Sequence, residues 1–311
     1  MKKSIKQLVV YYAIIVTITI LILLILITYI YRRYIQSIKQ QDGLRICSWN
    51  VEWFGLPKNK NMFSQVNNMP LYDKTIENMR LVNYHIQVIN PDIIAFQEVA
   101  DLTTIDVYKN MIKDYDIFYK PDMLRKGNQF NVFLVKKHIN VIKFDVIDEH
   151  HKVIRIDISY NSDIISVYNI HLKADYEGKF AQVRQKQLQY LYNNYMLDPD
   201  NYNVNTIITG DFNSEPGSYE MKQIDDKFIN VFFTSKCDLN LEGKYTLWID
   251  KNQDSIMTKE ELALTDYFFV SDHVYDFVNK MYIKKIMYQK LFSTDTNNKI
   301  SDHYPIILDM I

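Results

Sequence analysis

The sequence predicts a layered α/β domain, in which helices cover a core of β-sheet, preceded by one apolar helix at the N-terminus. Runs rich in β-branched residues alternate with helix-like runs between residues 44 and 311, and this alternation is typical of layered α/β folds. Several of the strand-like runs end in polar residues. No Gly/Ser/Pro-rich linker divides residues 44–311, so the sequence indicates a single domain there.

The composition favours a globular protein without a broad nucleic-acid-binding surface. Aromatic residues make up 14% of the chain, and only 7 glycines and 7 prolines are present, which argues against a disordered protein. The first 43 residues carry six basic side chains and one acidic side chain. The remaining 30 basic and 36 acidic residues make the rest of the chain mildly acidic. Two cysteines, Cys47 and Cys237, suggest no disulfide framework.

An uncharged apolar run extends from Leu8 to Ile30 and is followed by Arg32 and Arg33. About 20 such helical residues span the hydrocarbon core of a bilayer. A cleaved signal peptide is the alternative, but its apolar region has about 7–15 residues and ends at small residues. We therefore expect an N-terminal stub over residues 1–7, a single-pass signal-anchor helix over 8–31 and a linker over 32–43. The flanking positive charges are nearly balanced, so the sequence leaves the orientation in the membrane undetermined.

Two segments have the spacing of amphipathic helices. Over residues 73–90, apolar residues recur every three or four positions and form one helical face: Ile76, Met79, Val82, Ile86 and Ile89. Residues 178–196 are predicted to be helical with Val183, Leu188, Leu191 and Tyr195 facing inward. A further helix is expected near 218–226.

The remaining apolar runs predict strands. The main ones are expected at 44–49, 93–96, several places between 129 and 170, 206–209, 228–234, 245–249, 266–270, 281–287 and 304–310. Ile154, Ile156 and Ile158 alternate with Val153, Arg155 and Asp157. This alternation predicts a half-buried strand with one face exposed to water.

Five short segments bring chemically reactive residues to the ends of predicted strands, at residues 46–52, 93–98, 166–171, 207–213 and 300–305. They supply four carboxylates, two amides and two imidazoles: Glu52, Glu98, Asp211, Asp302, Asn50, Asn213, His171 and His303. Strand ends that meet at one edge of a sheet commonly form a site. Carboxylates suit a hard cation such as Mg²⁺, and histidines suit acid–base work near neutral pH. The sequence contains no zinc-type Cys/His cluster and no phosphate-binding glycine motif.

The residues of these motifs and their order along the chain resemble those of the endonuclease/exonuclease/phosphatase superfamily. This superfamily includes deoxyribonuclease I, apurinic endonucleases, neutral sphingomyelinases and inositol-polyphosphate phosphatases. The matching motifs are SWNVE at 48–52, QE at 97–98, NIHLK at 169–173, GDFN at 210–213, TDY at 265–267 and SDHYP at 301–305. The resemblance covers about residues 44–311 and implies a catalytic domain there. It implies a four-layer α/β sandwich of two packed mixed β-sheets flanked by helices, with Mg²⁺ or Mn²⁺ at the sheet edge.

The resemblance also implies a role for each residue. Glu98 is the main metal ligand, Glu52 assists it, and Asp302 is a second candidate ligand. Asn50 and Asn213 position the phosphate, and Asp211 orients or activates the attacking water. His303 contacts the scissile phosphate and acts as base, with Asp266 fixing its tautomer. His171 acts as a general acid or as an electrophile towards the phosphate.

The substrate is the least constrained part of the prediction. His171 and SDHYP place the chain nearer to deoxyribonuclease I and the sphingomyelinases than to the apurinic endonucleases. We expect a DNA endonuclease without a protein partner. Three basic pairs are expected to meet backbone phosphates, namely Arg125-Lys126, Lys136-Lys137 and Lys284-Lys285. A sphingomyelinase-type lipid enzyme is the alternative that the membrane helix favours. An inositol-phosphate phosphatase would require a dense basic pocket, and a catalytically inactive binding domain disagrees with the complete set of motifs.

Two other segments carry recognisable spacing. Arg184-x-x-Gln187 recurs in the superfamily and is predicted to lie on a solvated helix face that buttresses the motifs, with substrate contact as the alternative. Residues 250–261 place oxygen donors at positions 1, 3, 5, 9 and 12 of an EF-hand-like loop, which makes them a candidate Ca²⁺ site. Ser255 stands where such a loop requires glycine, so a polar surface loop is the alternative.

Overall fold

The computed structural model describes residues 12, 15–29, 43–54, 71–99, 102–120, 129–148, 153–174, 179–196, 204–237, 244–248, 258–284 and 301–311. The chain separates into two compact units, Met1–Leu44 and Arg45–Ile311.

The N-terminal unit contains a helix whose apolar side chains are exposed on all sides. Residues 15–29 are helical, and exposure of its large apolar side chains ranges from 41% at Ile15 to 67% at Ile25. The hydroxyl groups of Thr19 and Thr28 donate to the carbonyls of Ile15 and Leu24, one helical turn earlier. The rest of the predicted stub, anchor and linker, apart from residues 12 and 43, lies outside the described residues. Within the described part of the chain, no helix is both long and apolar enough to cross a membrane.

The second unit is built on two six-stranded mixed β-sheets. In the first sheet the order is β13-β14-β1-β2-β4-β3, with β1 at Leu44–Phe54, β2 at Ile93–Val99, β3 at Tyr115–Phe118, β4 at Phe130–Lys136, β13 at Val278–Ile283 and β14 at Ile306–Met310. In the second sheet the order is β5-β6-β7-β8-β12-β9, with β5 at Val141–Asp148, β6 at Val153–Tyr160, β7 at Asp163–His171, β8 at Thr206–Asp211, β9 at Ile229–Asn230 and β12 at Asp266–Val270. A separate ribbon pairs β10, Leu247–Trp248, with β11, Leu262–Ala263.

Five α-helices are described alongside the sheets of this unit: α1 at Leu71–Ile89, α2 at Leu102–Lys109, α3 at Ala181–Leu191, α4 at Lys222–Asp225 and α5 at Asp272–Phe277. Two of them lie between parallel strands in the chain: α1 between β1 and β2, and α3 between β7 and β8. Parallel neighbours need such a crossover because the end of one strand and the start of the next lie at opposite edges of the sheet. The expected α/β sandwich of two packed mixed sheets is therefore confirmed. Four of the five residues predicted on the inward face of α1 are buried, namely Met79, Val82, Ile86 and Ile89, whereas Ile76 is partly exposed.

Polar side chains join the two sheets through the middle of the core. Asn169 of β7 donates from Nδ2 to the carbonyls of Phe96 in β2 and Val132 in β4, at 2.9 and 3.2 Å. Gln97 returns a hydrogen bond from Nε2 to Asn169 Oδ1 at 2.8 Å, and Asn131 donates to the Asn169 carbonyl at 3.1 Å. All three amide side chains are fully buried. These bonds are directional, so they set how the strands of one sheet lie over those of the other.

The prediction that β6 is half-buried is wrong. Arg155 and Asp157 are each only 6% exposed, although they alternate with the apolar residues of the strand. They pair with each other through two contacts of 2.6 and 2.7 Å. Ser166 and Tyr168 of neighbouring β7 complete the hydrogen bonding. The polar alternation is satisfied within the sheet rather than by water, a possibility that strand periodicity alone does not reveal.

The inward face predicted for residues 178–196, which form α3 in the structure, is only partly correct. Leu188 and Leu191 are buried, but Val183 is 40% exposed and Tyr195 is partly exposed. Arg184 and Gln187, expected on a solvated face, are buried instead. Their polar groups have partners in neighbouring loops, which makes their burial possible. The helix also ends at Leu191 and continues as a π-helical turn, Tyr192–Met196.

The bonds between the sheets make a test of stability possible. We expect Asn169→Ala to lower the free energy of unfolding by about 2–4 kcal/mol, because it removes three buried side-chain hydrogen bonds. Asn194→Ala, which removes one exposed bond to the Tyr190 carbonyl, should stay within about 0.5 kcal/mol of wild type. Urea unfolding followed by tryptophan fluorescence measures both. Equal stability of the two variants would contradict the role given to Asn169.

Candidate active site

Five strands and one loop bring the predicted site residues to one edge of the two sheets. In the first sheet, parallel pairing aligns Asn50 of β1 with Gln97 of β2, immediately before Glu98. In the second sheet, parallel pairing aligns His171 of β7 with Asp211 of β8. Antiparallel pairing places Asp266, the first residue of β12, beside Asp211. The loop of residues 301–305 leads into β14 and adds His303.

Three of these residues have a left-handed backbone conformation. The φ angles of Glu52, Glu98 and Asn213 are 41°, 63° and 50°. Non-glycine residues rarely adopt such angles, and where they do the surrounding structure must hold them. Glu52 and Glu98 lie close to the ends of β1 and β2, and Asn213 follows the end of β8 by two residues. Their side chains belong to the cluster described below. Half of the six described non-glycine residues with positive φ therefore lie at the predicted site, and the other three are Asn90, Asn161 and Ser162.

Gly210 allows the two central strands of the second sheet to meet just before the site. Its φ is 138°, and a Cβ atom there would lie 1.9 Å from the carbonyl oxygen of Ile170. Ile170 is the partner of Gly210 in the parallel pair β7–β8. Only glycine permits this approach, which explains the first residue of the GDFN motif.

Asn50 connects the carboxylates of the two sheets. Its Nδ2 donates to Glu98 Oε1 at 3.1 Å and to Asp211 Oδ2 at 3.0 Å. Its Oδ1 accepts from the backbone N–H of Glu52 at 3.1 Å. Because both hydrogens of the amide are used, the side chain is held in one orientation and fixes the spacing between Glu98 and Asp211.

Asp211 lies at the centre of the cluster and is 1% exposed. Its Oδ1 accepts from the Asn213 N–H at 2.8 Å, and its Oδ2 accepts from Asn213 Nδ2 at 3.0 Å. The same Oδ2 lies 3.8 Å from His171 Nε2 and 3.7 Å from His303 Nε2. Burial raises the pKa of Asp211 to about 7, and nearby Asp266 adds to the rise, whereas His303 opposes it.

His303 is held by its main chain and by Asp266. Its N–H donates to Ser301 Oγ at 3.0 Å, and its carbonyl accepts from Trp49 Nε1 at 3.1 Å. Asp266 Oδ2 lies 2.8 Å from Nδ1, so an Nδ1–H···carboxylate bond leaves Nε2 directed at Asp211. Burial alone lowers the pKa of His303, but the carboxylates of Asp266, Asp211 and Asp302 outweigh it and raise the pKa well above 6.5. The imidazole therefore holds its proton near neutral pH.

His171 and Glu98 form the other side of the cluster. His171 is 5% exposed, and its Nε2 lies 3.5 Å from Glu98 Oε1. Glu98 Oε2 accepts a hydrogen bond from Gln129 Nε2. Gln129 stands outside every motif that the sequence analysis identified, and nothing in the sequence indicated that it would reach Glu98.

The carboxylates predicted to bind a metal are crowded. The N–H of Asp302 donates to Glu52 Oε2 at 3.0 Å. Burial, together with the charges of Asp302 and Glu98, raises the pKa of Glu52 to about 8. This mutual repulsion among oxygen donors fits a hard divalent cation, whose charge would offset it.

A second group of possible donors consists of Asp211, Asp266 and His303, whose ligand atoms lie within 4.8 Å of one another. In this group Asp266 and His303 already hydrogen-bond to each other. The predicted metal ligands Glu98, Glu52 and Asp302 are not part of this group.

All nine predicted site residues thus lie in one connected cluster, and their individual roles remain predictions.

Of the candidate Ca²⁺ loop, residues 250–257 lie outside the described residues. Its last donor, Glu261, is buried and accepts from the Thr258 N–H and Trp248 Nε1 at 3.3 and 3.4 Å. Lys136 belongs to one of the basic pairs predicted to contact DNA. Its Nζ forms an ion pair with Asp92 Oδ1 at 3.0 Å. Residues 125, 126 and 285 are not among the described residues.

Comparisons with known proteins agree with this architecture. A model of the endonuclease/exonuclease/phosphatase family matches residues 47–303. TDP2 of D. rerio in complex with a single-strand DNA product is 16% identical, with a TM-score of 0.60 over 86% of this chain and 99% of that chain. The human Nocturnin catalytic domain with bound sulfate is 16% identical, with a TM-score of 0.60 over 87% of this chain and 94% of that chain. An endonuclease/exonuclease/phosphatase from Bacteroides vulgatus is 14% identical, with a TM-score of 0.61 over 86% and 98%. No curated protein sequence matches the chain.

The pairing of His303 with Asp266 can be tested by titration. We expect the His303 imidazole of Asp266→Asn to titrate at lower pH than that of wild type, because an anionic neighbour that favours the charged form is lost. Asp309→Asn is the control, since Asp309 is also buried but pairs with Arg45. Histidine NMR resonances followed against pH measure the shift. An unchanged or raised pKa in Asp266→Asn would contradict the assigned pairing.

Proposed function

Since the chain belongs to the endonuclease/exonuclease/phosphatase family, we propose that it is a divalent-metal-dependent phosphodiester hydrolase that cleaves DNA and is tethered to a membrane by its N-terminal helix. The observation that carries the proposal is the position of Asp211 Oδ2, 3.7–3.8 Å from the imidazoles of His303 and His171. Asn50 holds the same oxygen next to Glu98. Carboxylates, imidazoles and amide donors therefore converge where a phosphate and a water can be oriented together.

The protein's own groups account for the handling of protons. Asp211 can orient the attacking water and accept its proton, since its pKa lies near neutral. His303, oriented by Asp266, can donate from Nε2 to a phosphate oxygen. His171 faces the same space from the side of Glu98 and can donate to the leaving oxygen. Asn50 and Asn213 keep these groups at fixed distances.

The cation would be held by Glu98, Glu52 and Asp302, the crowded carboxylates at the edge of the first sheet. Bound there, Mg²⁺ or Mn²⁺ would supply positive charge to the phosphate oxygens as negative charge develops on them. These ligands are all oxygens, which is the donor set that such cations prefer.

DNA is the substrate that we favour. The chain has the fold of TDP2, which has been captured with a single-strand DNA product. His171 and the motif SDHYP also match the deoxyribonuclease I pattern. A sphingomyelinase-type lipid enzyme is the second candidate, because an apolar helix precedes the domain.

The tether rests on the N-terminal helix. Its side chains over residues 15–29 are apolar or threonine, and its apolar groups are exposed on every side. The hydroxyls of Thr19 and Thr28 are satisfied by carbonyls of the helix itself, as a helix surrounded by lipid requires. The uncharged run from Leu8 to Ile30 extends beyond this described part and has the length of a membrane span.

Catalysis and substrate can be tested together on the full-length chain in detergent. We expect wild type to nick supercoiled plasmid with Mg²⁺ or Mn²⁺, and chelation to abolish nicking. His303→Ala and Glu98→Ala should each lower the rate by about 10²–10⁴-fold, the usual cost of losing a positioned group. His273→Ala, at an exposed histidine, is the matched control. Nicking should weaken as salt rises from about 50 to 200 mM, through counterion release.

The same preparation assayed on sphingomyelin vesicles separates the two substrates. Intact plasmid together with phosphocholine release by wild type, but not by His303→Ala, would replace the nuclease proposal with the lipid one. Wild-type activity on either substrate in His303→Ala or Glu98→Ala would instead overturn the site assignment.

The tether has its own test. We expect the full-length protein expressed in cells to pellet with membranes and to resist carbonate extraction. A chain of residues 44–311 should remain in the supernatant, because the apolar run is absent. A mature N-terminus between residues 35 and 43 would show that the run is a cleaved signal peptide and not an anchor.

A further inference from the structure

Helix α3 reaches both segments that emerge from the central parallel strands at the site. The first segment follows His171 in β7 and contains Leu172 and Lys173, and the second follows Asp211 in β8 and contains Asn213 and Ser214. The two segments already touch each other, since the Leu172 N–H donates to the Asp211 carbonyl at 2.9 Å. Asn213 Nδ2 adds a bond to the Leu172 carbonyl at 3.1 Å.

Arg184 contacts both segments with one buried guanidinium group. Nη1 donates to the Lys173 carbonyl at 3.3 Å, two residues after His171. Nε donates to Ser214 Oγ at 2.9 Å, one residue after Asn213. Arg184 is 3% exposed, so these bonds form away from competing water.

Glu220 and Gln187 complete this arrangement. Glu220 Oε1 accepts from Arg184 Nη2 at 2.6 Å and from Ser214 Oγ at 3.0 Å, which balances the buried charge. Gln187, one turn along α3, accepts from the Lys173 N–H at 2.9 Å through its Oε1. Both peptide groups of Lys173, its N–H and its carbonyl, are therefore held by side chains of one helix.

From these contacts we infer that Arg184 and Gln187 are positioning residues. They hold the segment after His171 and the segment after Asp211 in the relative position that hydrolysis requires. They act on the site through Lys173 and Ser214. The inference rests on the proposed hydrolase function for its kinetic test only. An error of about 1 Å in such positioning costs about 10²-fold in rate.

Arginine and lysine differ in the property that matters at this place. The planar guanidinium offers donors in several fixed directions, whereas the ammonium of lysine is a compact point charge. Arg184→Lys keeps the ion pair with Glu220 but cannot reach Lys173 and Ser214 at the same time. Arg155→Lys is the matched control, because Arg155 is equally buried and pairs with Asp157 in β6.

The kinetic experiment compares these variants as full-length protein in detergent, with a water-soluble chromogenic phosphodiester and Mg²⁺. We expect Arg184→Lys to lower kcat by about 10- to 100-fold while KM stays within about 3-fold. Arg155→Lys should keep kcat within about 3-fold at a temperature where both variants are folded. Gln187→Met removes the acceptor for the Lys173 N–H and should lower kcat. Gln187→Glu retains an acceptor oxygen and should keep kcat closer to the wild-type value.

A second measurement does not depend on activity and so separates failure of this inference from failure of the proposed function. In histidine ¹³C NMR spectra, the resonances of His171, identified by their loss in His171→Asn, should shift in Arg184→Lys and Gln187→Met. They should stay in place in Arg155→Lys. Unmoved His171 resonances in both α3 variants would overturn the inference, as would equal losses of kcat in Arg184→Lys and Arg155→Lys. A wild type without activity but with the expected spectra would overturn only the hydrolase proposal.

Discussion

The hydrogen bonds of Asn169 with the opposite sheet are the constraint on which the rest of the structure depends. Apolar packing alone leaves two sheets free to slide by small amounts, whereas a buried amide without partners carries a high energetic cost. Gln97 directly precedes Glu98, and Asn169 lies two residues before His171. The same bonds that align the sheets therefore also align the acidic residue of one sheet with the imidazole of the other.

The site is organised around crowded charge that the fold holds in place. Asp211 is surrounded by two imidazoles and two amides, and Glu52 lies beside two further carboxylates. Groups in such surroundings change protonation near neutral pH, which suits catalysis but costs stability. The left-handed backbone of Glu52, Glu98 and Asn213 adds local strain. Hydrogen bonds with Asn50 hold Glu52 and Glu98, and hydrogen bonds with Asp211 hold Asn213.

Sequence periodicity succeeded where apolar contacts decide the outcome. The inward face of α1 follows directly from residues spaced three and four apart, since its neighbours are apolar. It failed where polar groups are buried as pairs. Arg155 with Asp157, and Arg184 with Glu220, have the patterns of exposed residues, yet each guanidinium finds a carboxylate inside the protein. A single sequence does not state whether an arginine will be buried, or which carboxylate it will then meet, be it two residues away as for Arg155 or 36 residues away as for Arg184.

The sequence by itself determined the fold family and predicted nine residues that the structure brings into one cluster. Polar residues placed after apolar strands are local features, and strands of one sheet bring such ends to a common edge. Only the tertiary structure decided the rest: that Asn50 connects Glu98 with Asp211, that Gln129 reaches Glu98, and that Arg184 and Gln187 hold two site segments. The physical reason is that these bonds join residues far apart in the chain, and their partners are set by the packing of two sheets and a helix rather than by neighbouring residues.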